Sequence, residues 1–307
     1  MDTISILAAL DEHYVPQLQV LLTSLRLNNA GEHVALYLLY SDISPAGLDT
    51  VARQSEAFGY EFYPVRVDDA LFGNAPATQQ YPKEMYYRLL ASRLLPESLD
   101  RVLYLDPDIL IINALRPLWE TELNGNLFAA AAHTGKTELA NNVNRVRLNS
   151  GSDYYNSGVL LMDLRAGRRE IEPEEIFRYV AEHKMELLLP DQDLLNALYG
   201  RRILPLDDAL WNYDARNYNN YLLRSAGEHD LRWVMEHTAV LHFCGKAKPW
   251  KPGYVYRFGV LYQHYIQVTR RICGEIGLWN RKEMGAWFVP EGKARSGGKD
   301  GPVTQSW

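Results

Sequence analysis

The chain has only two cysteines among its 307 residues, Cys244 and Cys273. Two thiols so far apart form neither a disulfide framework nor a cysteine metal site, and they fit a reducing, cytosolic compartment. No run approaches the ~18 consecutive apolar residues of a membrane-spanning helix. The opening stretch, MDTISILAALDEHY, has no basic segment ahead of its short apolar run, so neither an integral nor a secreted protein is expected. Glycine is also missing where nucleotide-binding sheets often carry it, since ILAALDEHY contains none. That excludes the dinucleotide fingerprint and the P-loop, and leaves a divalent metal as the obvious means of neutralising a diphosphate.

The net charge of −6 argues against general nucleic-acid binding. The charge is uneven, however: from Lys246 to Trp307 eleven Lys/Arg face four Asp/Glu. A basic end on an acidic body points to an anionic partner, either a phosphorylated ligand or a lipid surface. The 47% hydrophobic and 23% charged residues are those of a globular protein, and the length allows one large domain or two. Twenty Tyr and seven Trp supply amphipathic aromatics suited to a binding surface.

In the first half, strand-like and helix-like runs alternate. ISILAAL is followed by a helix from about Val15 to Leu27, VALYLLY by a helix from about Pro45 to Phe58, and then comes EFYPVRV. Leu18, Leu21, Leu22 and Leu25 form one helical stripe, while the strands are continuous apolar runs of the kind covered on both faces. This pattern predicts a Rossmann-like, mostly parallel sheet flanked by helices. A helix near Lys83 to Leu95 precedes RVLYLDPDILI, LFAAAAH, NSGVLLMDL and TAVLHFCG. Ligands in such sheets bind beyond the carboxyl ends of the strands, which is where Asp11, Asp106, Asp108, His133 and His242 fall.

Asp106-Pro107-Asp108 is the candidate metal site. Two carboxylates at i and i+2 of an extended segment point to the same side, and Pro107 sits at a strand end, where its missing N–H costs nothing. His242 ends another apolar run, and two carboxylates with one imidazole suit Mn²⁺ or Mg²⁺, the nitrogen favouring Mn²⁺. Gly245 permits close backbone approach, and Lys246, Lys248 and Lys251 bring positive charge of the kind a departing phosphate requires. Asp191-Gln192-Asp193 repeats the acidic spacing in LPDQDLLN, with Asp193 expected in the first turn of a helix.

With these residues in view, the chain resembles the retaining glycosyltransferases of family 8, which include bacterial lipopolysaccharide galactosyl- and glucosyltransferases and glycogenin. The blocks ILAALDEHY, YYRLLASRLLP, RVLYLDPDILI, YYNSGVLLMDL, LPDQDLLN and LHFCGKAKPW carry the likeness in consistent order. It implies a GT-A fold over residues 1–255, transferring glucose or galactose from a UDP-sugar to a hydroxyl of a glycan or glycolipid. It also implies that Asp106, Asp108 and His242 hold the metal, that Asp11 and Tyr14 hold the uracil, and that Gly245 and Lys248 contact the diphosphate. Arg88 and Asn156 would hold the donor sugar, and Asp191 and Gln192 would approach the anomeric carbon. The chain departs from the family pattern at His13, where Asn is frequent, and at Leu10, near which a second acid is frequent. An amide such as Gln192 is a poor nucleophile, so front-face attack is expected rather than a covalent intermediate.

Beyond that domain, a basic and aromatic helical extension is expected over 256–289, its helix running from about Tyr256 to Gly277. With Arg257, Arg270, Arg271, Trp279, Arg281, Lys282, Trp287 and Phe288 it is suited either to an anionic membrane at the inner face of the cell or to packing on the domain. A disordered tail is expected over 290–307. Three alternatives accompany this reading: a self-glucosylating protein, a sugar-nucleotide-binding scaffold without turnover, and an aspartate-nucleophile phosphatase.

Overall fold

The computed structural model describes residues 2–68, 84–132, 143–144, 147–148, 151–183 and 186–278. Among these residues ten strands build two sheets. β1 (Ile4–Ala9), β2 (Val34–Tyr40), β3 (Glu61–Arg66), β4 (Arg101–Leu105), β6 (Phe128–Ala131), β7 (Val159–Asp163) and β8 (Ile203–Leu206) form the larger, in the order β3-β2-β1-β4-β7-β6-β8. β5 (Ile109–Ile111), β9 (Tyr213–Asp214) and β10 (Val240–His242) form a small sheet in the order β5-β10-β9. In the large sheet β7 runs antiparallel to both neighbours, β4 and β6, while all other pairings are parallel. The architecture is thus α/β with a mainly parallel sheet.

The strands have few polar positions because both faces are covered. Leu7, Val102, Tyr104, Leu160 and Met162 enter the core on one face of the sheet. Their sequence neighbours Ile6, Ala8, Leu103, Leu105 and Leu161 enter the core on the other. This is the period-two alternation of a pleated strand serving two helical layers. Helix Val15–Asn28 buries the whole Leu18, Leu21, Leu22 and Leu25 stripe. Helix Pro45–Phe58 starts at Ser44, whose hydroxyl accepts from the Gly47 N–H, and stops at Gly59 with φ +72°.

Two elements differ from the sequence expectation. The segment expected as one helix from Lys83 to Leu95 is broken into Glu84–Tyr87 and Ala91–Leu94, with Arg88, Leu89 and Leu90 in a turn between them. Tyr86, Tyr87, Leu89 and Leu90 are all buried, so the segment lacks the solvent face that a regular surface helix keeps. The run TAVLHFCG contributes β10 to the small sheet, where it pairs with β5 antiparallel and β9 parallel.

The C-terminal helix, Gly259–Glu275, packs inward. Tyr262, Tyr265 and Ile266 join a third core with Tyr213, Phe243 and Phe258. Asn28 Nδ2 on the first helix donates to Tyr265 Oη at 2.8 Å, and Cys273 is fully buried beside Gln19. The aromatic and basic run from Trp279 onward, including the tail 290–307, and also His133, lie outside the described residues. Among the described residues no helix is long and apolar enough to cross a membrane.

Candidate active site

The site forms where the large sheet hands the chain to the small one. β4 ends at Leu105, and the Asp106 N–H donates to the Gly158 carbonyl at 2.8 Å, extending the β4–β7 ladder by one bond. Pro107 and Asp108 then turn the chain into β5. The two aspartates therefore flank a turn, where the sequence suggested an extended segment. On β10, His242 pairs with Ile109, and the following Phe243 N–H donates to the Asp108 carbonyl at 3.0 Å. Strand pairing alone thus brings residues 106, 108 and 242 together.

Ligand atoms of Asp106, Asp108 and His242 lie within 4.8 Å of one another. His242 Nε2 is 3.2 Å from Asp108 Oδ1 and 3.8 Å from Asp106 Oδ2. Two carboxylates and an imidazole are a donor set suited to Mn²⁺ or Mg²⁺. Gly158 makes room for them: a Cβ there would lie 2.4 Å from His242 Cε1 and 2.6 Å from Asp106 Oδ2. Desolvation works against charge at all three buried groups around Asp108. Nevertheless His242 and Lys248 hold the Asp108 carboxyl well below the ordinary carboxylate range. Cys244 and Asp108 in turn draw His242 well above its ordinary pKa, and Asp108 raises Lys248. The Lys248 ammonium pairs with Asp108 Oδ2 and donates to the Phe243 carbonyl at 3.0 Å.

A second set of side chains faces this cluster. Arg88, in the turn between the two short helices, lies 3.1 Å from Asp106 Oδ1 and 3.1 Å from Asp191 Oδ2. It also donates to the Ser157 carbonyl at 3.0 Å and stacks over Tyr104, 4.6 Å from the ring centre. Tyr104 Oη donates to Asp106 Oδ1 at 2.7 Å. Asp191 and Gln192 occupy the first turn of helix Pro190–Tyr199. Ser157 Oγ donates to Asp191 Oδ2 at 2.8 Å, and Asn156 Nδ2 donates to Gln192 Oε1 at 3.0 Å. Arg93, the other arginine of that segment, instead pairs with Glu172.

Two adjoining cavities result. One, of about 500 Å³, is lined by Asp106, Asp108, Asn156, Asp191, Gln192 and His242 among others. The second, of about 370 Å³, is lined by Asp11, Tyr14 and Arg88 and shares Asp106, Asp108 and Lys248 with the first. Tyr14 meets the ring of Trp250 edge-on at 6.2 Å, so the Pro249-Trp250 loop braces it. Asp11 caps the turn Glu12–Tyr14 by accepting the His13 N–H. Every residue singled out in the sequence for donor or metal lines one of the two cavities. Lys246 and Lys251, the other lysines of the loop, are exposed and line neither.

The sequence does not single out Asn212, which lies behind His242, or Asp214, Arg216 and Asn217, which line the larger cavity. Asn212 accepts at His242 Nδ1, with 2.9 Å between the two atoms. Arg216, held by a two-pronged ion pair to Asp214, lines the larger cavity together with Asn217. Gly245 has φ +82°, and a Cβ there would lie 2.2 Å from Arg216 Nη1. YDARN is an ordinary loop sequence, and no local signal marks its side chains. Only the pairing of β9 with β10 brings them to the site.

A carboxylate–imidazole cluster beside a cavity at the end of a mainly parallel sheet is the arrangement of a glycosyltransferase of the GT-A fold. The chain belongs to glycosyl transferase family 8, whose family model matches residues 5–252. It is 28% identical to general stress protein A of Bacillus subtilis over 273 residues, 86% of this chain and 93% of that one. It is 26% identical to a lipopolysaccharide 1,2-glucosyltransferase of Escherichia coli, over 83% of this chain and 75% of that one. The galactosyltransferase LgtC, solved with donor and acceptor sugar analogues, superposes with a TM-score of 0.70 at 25% identity, over 85% of this chain and 95% of that one. The chain is accordingly a glycosyltransferase of the hexosyltransferase kind, in a family of typically divalent-metal-dependent enzymes. The aspartate-nucleophile phosphatase reading falls with this assignment.

Proposed function

We propose that the chain moves glucose or galactose from its UDP derivative to a hydroxyl of a bacterial surface glycan or glycolipid, with retention at the anomeric carbon and with Mn²⁺ as the preferred ion. The observation that carries this reading is the pair of cavities sharing Asp106, Asp108 and Lys248. One is open to a base and ribose at Asp11 and Tyr14, the other to a sugar at Asn156, Asp191 and Gln192.

In this reading Asp106, Asp108 and His242 hold the ion, which when bound neutralises charge on the diphosphate. Tyr14 stacks on the uracil and Asp11 accepts a hydrogen bond from it. Lys248 and the backbone at Gly245 receive the departing phosphate oxygens. Arg88 and Asn156 fix the donor sugar. The Asp191 carboxylate and the Gln192 amide oxygen face the positive character that develops at the anomeric carbon. Front-face attack suits these groups, because Gln192 is weakly nucleophilic and Asp191 already accepts from Arg88 and Ser157.

Purified protein incubated with a panel of UDP-sugars and Mn²⁺, without acceptor, should release UDP from UDP-glucose or UDP-galactose. EDTA should stop the release, and Mn²⁺ should restore it better than Ca²⁺, which prefers more and longer oxygen contacts. Full release in EDTA would remove the metal from the proposal. A lipid-linked acceptor would be reached at the inner face of an anionic membrane through the basic C-terminal region, in which eleven Lys/Arg face four Asp/Glu after residue 245. Salt-sensitive flotation with anionic vesicles should distinguish the full chain from one ending at Gly277.

A further inference from the structure

We propose that Asn212 is a positioning residue that couples the metal-ligating imidazole of His242 to the Gln192 amide beside the sugar, through Asn156. This inference rests on the proposed function, since it presumes that His242 binds a divalent ion and that Gln192 serves the donor sugar. The observation is an unbroken chain of side-chain hydrogen bonds that none of the sequence motifs marks. Gln192 Oε1 accepts from Asn156 Nδ2 at 3.0 Å, and Asn156 Oδ1 accepts from Asn212 Nδ2 at 2.9 Å. Asn212 Oδ1 lies 2.9 Å from His242 Nδ1. Asn212 is fully buried.

One backbone group fixes the polarity of the whole chain. The Gly158 N–H donates to Asn156 Oδ1 at 2.9 Å, so the oxygen of that amide faces Gly158 and Asn212. Asn212 must then present its amino group to Asn156, and with it its oxygen to His242. His242 must therefore carry a hydrogen on Nδ1, and a metal ion can displace only the one on Nε2. Its Nε2 is thereby left as the ligand atom, aimed at Asp106 and Asp108, which is the usual service of an outer hydrogen-bond partner to a metal-bound histidine. Toward the sugar, Asn156 turns its amino group to Gln192. The Gln192 oxygen is therefore held in place and keeps a second lone pair for the donor. Position 158 serves twice: its backbone N–H sets the polarity, and only glycine fits there, because a Cβ would strike both His242 and Asp106.

Two substitutions separate the arms. Asn212→Ala removes both contacts. Asn212→Asp keeps an acceptor for His242 Nδ1 but sets a carboxylate against Asn156 Oδ1. Asn156 can then satisfy the carboxylate only by turning its amino group away from Gln192. Mn²⁺ affinity is measured by electron paramagnetic resonance without donor, alongside turnover of the UDP-hexose. The expected result is an Mn²⁺ affinity about 10- to 100-fold weaker in Asn212→Ala. Asn212→Asp should keep Mn²⁺ affinity within about threefold while kcat falls about tenfold or more, as for an interaction made in the transition state. Should Asn212→Ala not fold, ¹⁵N shifts of His242 in the Mg²⁺-loaded wild type should report hydrogen on Nδ1. Hydrogen on Nε2, unchanged Mn²⁺ affinity in Asn212→Ala, or unchanged kcat in Asn212→Asp would each overturn the inference while leaving the proposed function standing. A wild type with no affinity for Mn²⁺ would overturn both.

Discussion

Asp106–Asp108 and Asp191–Asp193 share one spacing and meet different ends. In the first pair both carboxylates face the same cluster, because they flank a turn between two sheets and His242 is delivered to them by the pairing of β10 with β5. The second pair begins a helix, where positions two apart lie on nearly opposite sides of the axis. Asp191 therefore points to the cavity and Arg88, while Asp193 points inward. Asp193 is fully buried and accepts from Tyr154 Oη at 2.5 Å, from Arg147 Nη2 at 2.7 Å and from the Leu188 and Leu189 backbone N–H groups. The same two letters thus both face the cavity in one place and divide between cavity and core in the other. Local backbone geometry makes the difference.

The sharpest way to break this comparison is to neutralise one acid from each role. Asp108→Asn should lower UDP-hexose turnover by about a thousandfold or more, the several kcal/mol that a bound metal supplies, with an unchanged far-ultraviolet dichroism spectrum. Asp193→Ala should do the reverse. It strands Arg147 and the Tyr154 hydroxyl and should lower stability by about 3 kcal/mol in denaturant unfolding, while at low denaturant the Mn²⁺ affinity stays that of wild type. Equal stability losses in the two variants would contradict the division of roles. Asp191→Asn lies between them, with an expected loss of about a hundredfold in kcat and little change in stability, because Arg88 keeps Asp106 and Ser157 as partners. The smallest effect is expected off both pairs: Tyr14→Ala should weaken UDP binding by about 1 to 3 kcal/mol in calorimetry if the ring stacks on the base.

Much of this was legible in the sequence because it is local. The leucine stripe of the first helix, the run from Pro45 to Phe58 that forms the second, and the apolar runs of β1, β2 and β4 each carry their own signal. The family resemblance added expected roles for residues far apart in the chain, and the fold brings those residues to two adjoining cavities. Where local signals run out, the reading ran out too. A turn at Arg88 inside an apolar, arginine-bearing segment looks helical until its buried tyrosines are placed. The antiparallel direction of β7 and the separate sheet of β10 are set by long-range pairing. Asn212 and Arg216 came to light only through the neighbours that this pairing gives them.

If Asp106, Asp108 and His242 hold the ion as proposed, UDP binding depends on a divalent cation. Calorimetric titration of UDP into wild type and Asp108→Asn, each in Mn²⁺ and in EDTA, tests it without recourse to turnover or to the identity of the acceptor. Mn²⁺ should tighten UDP binding in the wild type at least about tenfold and leave Asp108→Asn unchanged, each tenfold step being about 1.4 kcal/mol. Equal UDP affinity of the wild type in Mn²⁺ and in EDTA would contradict it.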